Sequence, residues 1–428
     1  MKFVIPKNVV VSAKRGSGGE ALWKAGGIFC LVVCILCAAG CGEPSNSDDA
    51  DNSDDDDNTD ASDDDDTDSE PVDLSILLAA EGGLLLIQND QLDVLFEDAL
   101  VVLHQMAAVA NSDEVYIAGR DLGNEVGILL RYNWTSRELE ELSLPVDAAE
   151  WALFSVAMDP LNRPWVCGAD RENNIGLLFY LDSKGWEEVP VHRAEETEWF
   201  LSSIVFDEQD NGYLVGYSTE ARDDLYFPFS LGDQEVMEWL FTLNEEKTYY
   251  PRKLSRFNYS PSIWLIGTYL EDTENPMDAY TEDFAGVWDP MAYNDGGAFH
   301  LASSCLLNKR HLTRGRMIGE RLHFTGVSEN EDNGREPFLV EYDPENDYEA
   351  DDGSIYHWKQ VDLELPDGLV LYDWTVGEEH AYYVYKTHAR RLCVFREGAA
   401  DAMDYGQWEG TVQDVLFQWS ANDPNQSE

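Results

Sequence analysis

From about residue 74 onward, short apolar runs alternate with polar turns, and a helical period is almost nowhere sustained. Phe154-Ser155-Val156-Ala157-Met158 and Ile204-Val205-Phe206 are each followed by Asp and then by a second run that ends in glycine. Those second runs are Trp165-Val166-Cys167-Gly168 and Tyr213-Leu214-Val215-Gly216. The same ending recurs in Tyr116-Ile117-Ala118-Gly119, Trp264-Leu265-Ile266-Gly267 and His323-Phe324-Thr325-Gly326. Successive glycines stand 49, 48, 51 and 59 residues apart, and Asp159, Asp207 and Asn258 each lie nine residues before theirs. A third run follows the glycine, as in Leu177-Leu178-Phe179-Tyr180-Leu181-Asp182, and a fourth begins at Trp186. Runs this short, rich in β-branched and aromatic residues and punctuated by Asp, Asn and Gly, predict strands. Four strands in each repeat of roughly 45–60 residues is the arithmetic of a β-propeller blade.

Both ends bear on the count. Ile76-Leu77-Leu78-Ala79-Ala80, Leu84-Leu85-Leu86-Ile87 and Leu92-Asp93-Val94-Leu95-Phe96 read as the second, third and fourth strands of a unit that lacks its first. Val412 to Trp419 is a strand without a unit, and its Val415-Leu416-Phe417-Gln418 echoes Val102-Leu103-His104-Gln105. The expectation is an all-β fold over residues 74–420, a propeller of seven four-stranded blades with six or eight as alternatives. The C-terminal strand would close the ring by pairing into the first blade, leaving a polar tail at 421–428. The stretch Val156-Ala157-Met158-Asp159-Pro160 through Trp165-Val166-Cys167-Gly168 resembles NHL-type and related bacterial propeller repeats. It lacks the paired glycines of kelch repeats and the Gly-His and Trp-Asp pairs of WD repeats.

The N-terminal segment has a different character. Lys2, Lys7, Lys14, Arg15 and Lys24 precede an apolar run from Ile28 that ends in Ala38-Ala39-Gly40-Cys41. That is the form of a secretory signal, and the run is short of the roughly 20 residues that span a bilayer. Its end resembles the lipobox of bacterial lipoproteins, with Ala38 where that family usually has Leu. The resemblance implies a signal peptide over 1–40, lipidation of Cys41, and attachment to the membrane of a bacterial cell envelope. Residues 42–70 hold 15 acidic residues and no basic one. A segment with so few apolar residues cannot bury a core, so 41–73 reads as a disordered acidic tether.

Charge then removes one class of partner. The chain has 84 acidic and 28 basic residues, a formal net charge of −56. Nucleic-acid binding by counterion release needs the opposite field. Such acidity fits either solubility in a salty medium or a cation-binding surface. Glu329-Asn330-Glu331-Asp332-Asn333-Gly334 begins like a calcium loop, but Val340 stands where the bidentate Glu belongs. The acidic loop Glu271 to Asp283, with Asp272, Glu274, Asp278 and Glu282, is the better Ca2+ candidate; no other cofactor is expected. There is no Gly-x-Ser-x-Gly elbow, phosphate-binding glycine loop or His-Glu-x-x-His. Cys167, Cys305 and Cys393 lie in apolar, strand-like contexts and read as buried thiols. The expected function is binding or scaffolding at the envelope, with a protein or glycan partner. The alternatives are a secreted propeller enzyme acting on polysaccharide, a lyase or glycosidase, and a structural surface protein.

Overall fold

The computed structural model describes residues 74–418 except 194–197, 208–209, 219–223, 239–246, 257–262, 272–280, 290–297, 302–309, 320, 330–333, 344–347, 350–354, 357, 366–367 and 378–379. Between 247 and 310 the description is of backbone alone. Contacts divide the chain after Thr67, and every described strand belongs to the second unit.

Two long strands, β1 (Ser75–Gln88) and β2 (Gln91–Ala108), open the fold. They continue into β3 (Glu114–Asp121), β4 (Val126–Asn133) and β5 (Leu139–Glu141). A four-stranded meander follows: β6 (Trp151–Met158), β7 (Pro164–Asp170), β8 (Ile175–Asp182) and β9 (Gly185–Glu188). The short β10 (Val191–His192) leads to a three-stranded sheet of β11 (Trp199–Phe206), β12 (Asn211–Ser218) and β13 (Asp224–Ser230); β14 (Val236–Met237) then pairs in parallel with β10. The next sheet is β15 (Lys247–Arg256), β16 (Ile263–Glu271), β17 (Thr281–Asp289) and β18 (Ala298–Leu301). After it come β19 (Arg310–Ile318), β20 (Arg321–Glu329) and β21 (Arg335–Tyr342), then the ribbon of β22 (Tyr348–Glu349) and β23 (Ile355–Tyr356), then β24 (Trp358–Gln360), which joins β21. The last full sheet is β25 (Val370–Val376), β26 (Ala381–Lys386), β27 (Arg391–Arg396) and β28 (Met403–Gln407). Finally β29 (Val412–Gln418) runs antiparallel to β1, from Ser75 opposite Gln418 to Ala80 opposite Val412.

The result is a β-propeller of unequal sheets, which corrects the expected seven, six or eight four-stranded blades. Five sheets have blade size, four of four strands and one of three, beside a six-stranded sheet in the order β29-β1-β2-β3-β4-β5. The physical reason lies in β1 and β2. The runs at 76–80 and 84–87, expected as two strands, form one strand with a register shift at Glu81/Gly83, where Gly82 takes φ +87. β2 likewise pairs with β1 along its first half and with β3 along its second, so two expected units fuse. Both faces of β1 are buried. Leu77, Ala79, Leu84 and Leu86 pack with Leu103, Ile117 and Leu130, while Ile76, Leu78, Leu85 and Ile87 pack with Tyr372, Val384, Leu392 and Val394. Burial on both sides is why this strand reads as near-continuous apolar sequence rather than as an alternation, each large aliphatic side chain contributing about 1.5–3 kcal/mol.

The repeat glycines have a common cause. In successive sheets the first strand carries a bulge opposite the glycine, between Leu103 and Gln105, Leu153 and Ser155, Leu201 and Ser203, Pro251 and Lys253, and Leu312 and Arg314. The bulge drives a carbonyl into the neighbouring strand. A Cβ on Gly168 would stand 1.9 Å from the oxygen of Ala152, and one on Gly326 would stand 2.0 Å from that of His311. Bulges add twist and bend to a strand. In the last sheet Tyr385 faces the equivalent bulge at Leu371/Asp373, so that unit shows no glycine landmark.

The Asp that precedes the glycine by nine residues also has a structural task. Asp159 is buried; its Oδ1 accepts from the backbone N–H of Leu161 and Arg163, each at 2.9 Å, and its Oδ2 accepts from Trp165 Nε1 at 3.0 Å. Asp207 accepts from Asn211 N at 2.9 Å and from the Tyr213 hydroxyl at 2.8 Å. Each carboxylate thus closes the first hairpin turn of its sheet and fixes the aromatic residue that opens the next run.

Adjacent first strands are stitched by polar side chains. Ile204 N donates to Ser155 Oγ at 3.2 Å, and Met106 N donates to Asp414 Oδ2 at 2.7 Å. Arg314 of β19 lies between two buried carboxylates, Asp373 of β25 at 2.7 Å and Asp414 of β29. These are charge contacts, for neither Nε nor Nη1 of Arg314 makes a hydrogen bond of good geometry. Burial lowers the Arg314 guanidinium to about 10, against the opposing pull of Asp373. Arg316 pairs with Asp373 at 3.4 Å and lies 4.9 Å from the ring centre of Phe417. The C-terminal strand is therefore held by ions as well as by its ladder.

Candidate functional site

A cleft of about 500 Å3 opens where the first hairpin meets the last sheet. One wall is Ile76 and Ile87 of β1 with the turn residues Asn89 and Asp90, and Leu74 stands beside them. Asn89 and Asp90 both adopt left-handed backbone, φ 50 and 58, the conformation that a two-residue turn between twisted strands requires. The facing wall comes from Tyr382 of β26, Val394 and Arg396 of β27, and Met403 and Tyr405 of β28. Ala399 and Asp401, between β27 and β28, complete the rim.

Its floor and rim differ in kind. Ile76, Ile87 and Val394 are buried and apolar, whereas Asp90, Arg396 and Asp401 are exposed. The Tyr405 hydroxyl donates to Met403 Sδ at 3.6 Å. Burial, and secondarily the charge of Asp90, push the Tyr405 phenol up to about 12. It therefore stays protonated at neutral pH and serves as a hydrogen-bond donor rather than as a base. Arg396, Asp90 and Asp401 take part in no ion pair among the described residues, although they share one cleft. An apolar floor with a few converging polar groups is the usual form of a small-molecule site.

Among the described residues, none of the candidate site residues read from the sequence lines this cleft. Cys41, Asp272, Glu274 and Asp278 fall outside the described residues; Glu282 belongs to β17, where only backbone is described. Among the described residues no group of three or more His, Cys, Asp or Glu is placed to hold a metal ion. Cys167 and Cys393 are buried free thiols, and Cys305 falls outside the described residues. Burial raises both thiols, that of Cys167 against a hydrogen bond with Ser155. His323 is buried in β20, 3.4 Å from Glu341 and edge-on to Trp374 at 5.0 Å between ring centres. Burial lowers its pKa despite Glu341. It is a packed residue of the β20 wall.

No protein-family model and no curated protein matches this sequence. Solved structures of similar fold include a putative 6-phosphogluconolactonase from Bacteroides uniformis (TM-score 0.45, 12% identity, 81% of this chain and 99% of that one). A second is the β-propeller domain of the Trilobed protease from Pyrococcus furiosus (0.44, 8%, 79% and 93%). A third is an ulvan lyase of polysaccharide lyase family PL25, bound to -[GlcA(1-4)Rha3S]- (0.42, 9%, 72% and 82%).

Proposed function

We propose that this chain is a bacterial envelope lipoprotein, lipidated on Cys41, whose propeller binds a small ligand in the cleft between the first hairpin and the last sheet. The observation that carries the binding reading is the cleft itself: an apolar floor, a charged rim and a tyrosine held in its neutral, donating form. Two experiments test the two halves. Fatty-acid labelling of the full chain should mark the wild type and not Cys41→Ser; equal labelling overturns the anchor. In a thermal-shift screen, ligands should stabilise the wild type but not Ala399→Trp, in which the indole fills the cleft. Ligands that stabilise both equally place binding elsewhere.

A second reading, an enzyme acting on polysaccharide, is favoured by one feature: two carboxylates, Asp90 and Asp401, line the cleft together with two tyrosines. Paired carboxylates are what a glycosidase requires. Polysaccharide cleavage by the wild type that Asp401→Asn abolishes, with the unfolding midpoint unchanged, would select this reading over simple binding.

A further inference from the structure

The charges around the cleft say what kind of molecule would fill it. Basic residues number 28 against 84 acidic ones, and most described arginines lie against carboxylates. In the same last sheet Arg391 pairs with Asp404 and Arg390 with Glu409. Arg396 takes part in no ion pair among the described residues, although Asp90 and Asp401 line the same cavity. The cleft thus carries both signs of charge around one apolar floor, Arg396 and Asp401 on the side of the last sheet and Asp90 on the turn opposite.

We propose that the cleft takes a small zwitterion, a molecule bearing one ammonium and one carboxylate, of the size of an amino acid or dipeptide. The inference rests on the cleft being the ligand site and adds the chemical class of the ligand. Arg396 presents the fork of donors that matches a carboxylate. Asp90 and Asp401 receive the ammonium, which the faces of Tyr382 and Tyr405 also attract. Ile76, Ile87 and Val394 take an apolar side chain between the two ends. A simple anion would face two carboxylates within the strong negative field of the whole chain, and a simple cation would face Arg396. A neutral sugar would leave all three charges unused. The volume, about 500 Å3, falls within the range of roughly 300–1,000 Å3 usual for small-molecule sites.

Calorimetric titration of the full chain at low salt tests this with four probes: glycyl-leucine, its N-acetyl form, its C-terminal amide, and cellobiose as a neutral molecule of comparable bulk. Glycyl-leucine should bind, and capping either end should weaken it about tenfold or more, the factor that one lost charged contact commands. Arg396→Gln should weaken glycyl-leucine by the same factor without weakening the amide, while Arg396→Lys, which keeps the charge and loses the fork, should retain only part of the binding. Asp90→Asn combined with Asp401→Asn should weaken glycyl-leucine without weakening the N-acetyl form. Failure of glycyl-leucine to bind, capped forms that bind as tightly as it does, or insensitivity to Arg396→Gln overturns the proposal. Cellobiose binding that Ala399→Trp removes, without dipeptide binding, overturns the zwitterion and keeps the cleft as the binding site.

Discussion

The ion cluster that holds the last strand makes a quantitative test of how the ring is closed. Asp414 faces Arg314, and its Oδ2 accepts the backbone N–H of Met106 at 2.7 Å. Asp414→Ala removes one of the two carboxylates beside a buried guanidinium and orphans a buried donor. Breaking a buried ion pair costs about 3–5 kcal/mol, an upper range here because Asp373 stays 2.7 Å from Arg314. The orphaned N–H adds about 1–3 kcal/mol. Asp414→Asn retains an acceptor for Met106 and loses only the charge, so it should cost about 1–3 kcal/mol less than the alanine variant. Adding Arg314→Met to Asp414→Ala removes the under-compensated cation. The pair should then be less destabilised than the sum of the single changes by about 0.5–3 kcal/mol. Urea unfolding of the full chain, followed by tryptophan fluorescence, measures all four. An alanine variant within about 0.5 kcal/mol of wild type, the size of an ordinary surface change, would refute the reasoning. So would an asparagine variant as damaged as the alanine one.

Two other outcomes follow from the packing. Gly168→Ala should destabilise by at least the roughly 1–3 kcal/mol of ordinary overpacking, because the obstacle 1.9 Å from the new Cβ is the Ala152 carbonyl, which cannot rotate away; an unchanged urea midpoint would contradict the bulge explanation. His323 has a pKa lowered by burial, so the unfolded chain takes up the proton first. Its contribution is complete above the unfolded pKa of about 6.5 and is lost as pH falls below it, at up to about 1.4 kcal/mol per pH unit. His323→Gln should flatten the stability profile between pH 6.5 and the carboxylate range, and identical slopes for variant and wild type would count against this assignment.

The parts of this fold that could be read from the sequence are those with a local cause. Glycine at a fixed place in each repeat records a clash with a bulged neighbour, and Asp nine residues earlier records a turn that one side chain can close. The echo between Val415–Gln418 and Val102–Gln105 reflects two first strands that lie side by side, joined by Asp414 and Met106. Strand count failed where local signals mislead. Gly82-Gly83 reads as a turn between two strands, yet burial on both faces keeps β1 continuous, and the blade arithmetic breaks there. The cleft had no sequence signature, since Asp90 and Tyr405 are 315 positions apart and neither sits in a motif. What brings them together is the pairing of β29 with β1, which sets the first hairpin beside the last sheet.

That pairing also imposes an order of events on biosynthesis. Ser75 lies opposite Gln418, so the ladder joins residues that leave the ribosome at the beginning and the end of the domain. Closing a loop of this length carries an entropic cost of about 5 kcal/mol from its logarithmic term. Until the last residues are made, β1 presents an open edge along Ser75–Ala80, with backbone donors and acceptors available to any extended chain nearby. A nascent chain is therefore exposed to misassociation through β1 until β29 is made. A product that stops short of Val412 keeps that edge for good, open to degradation or aggregation. The C-terminal strand thus acts as a checkpoint: only a molecule translated through Gln418 can cover the edge of β1.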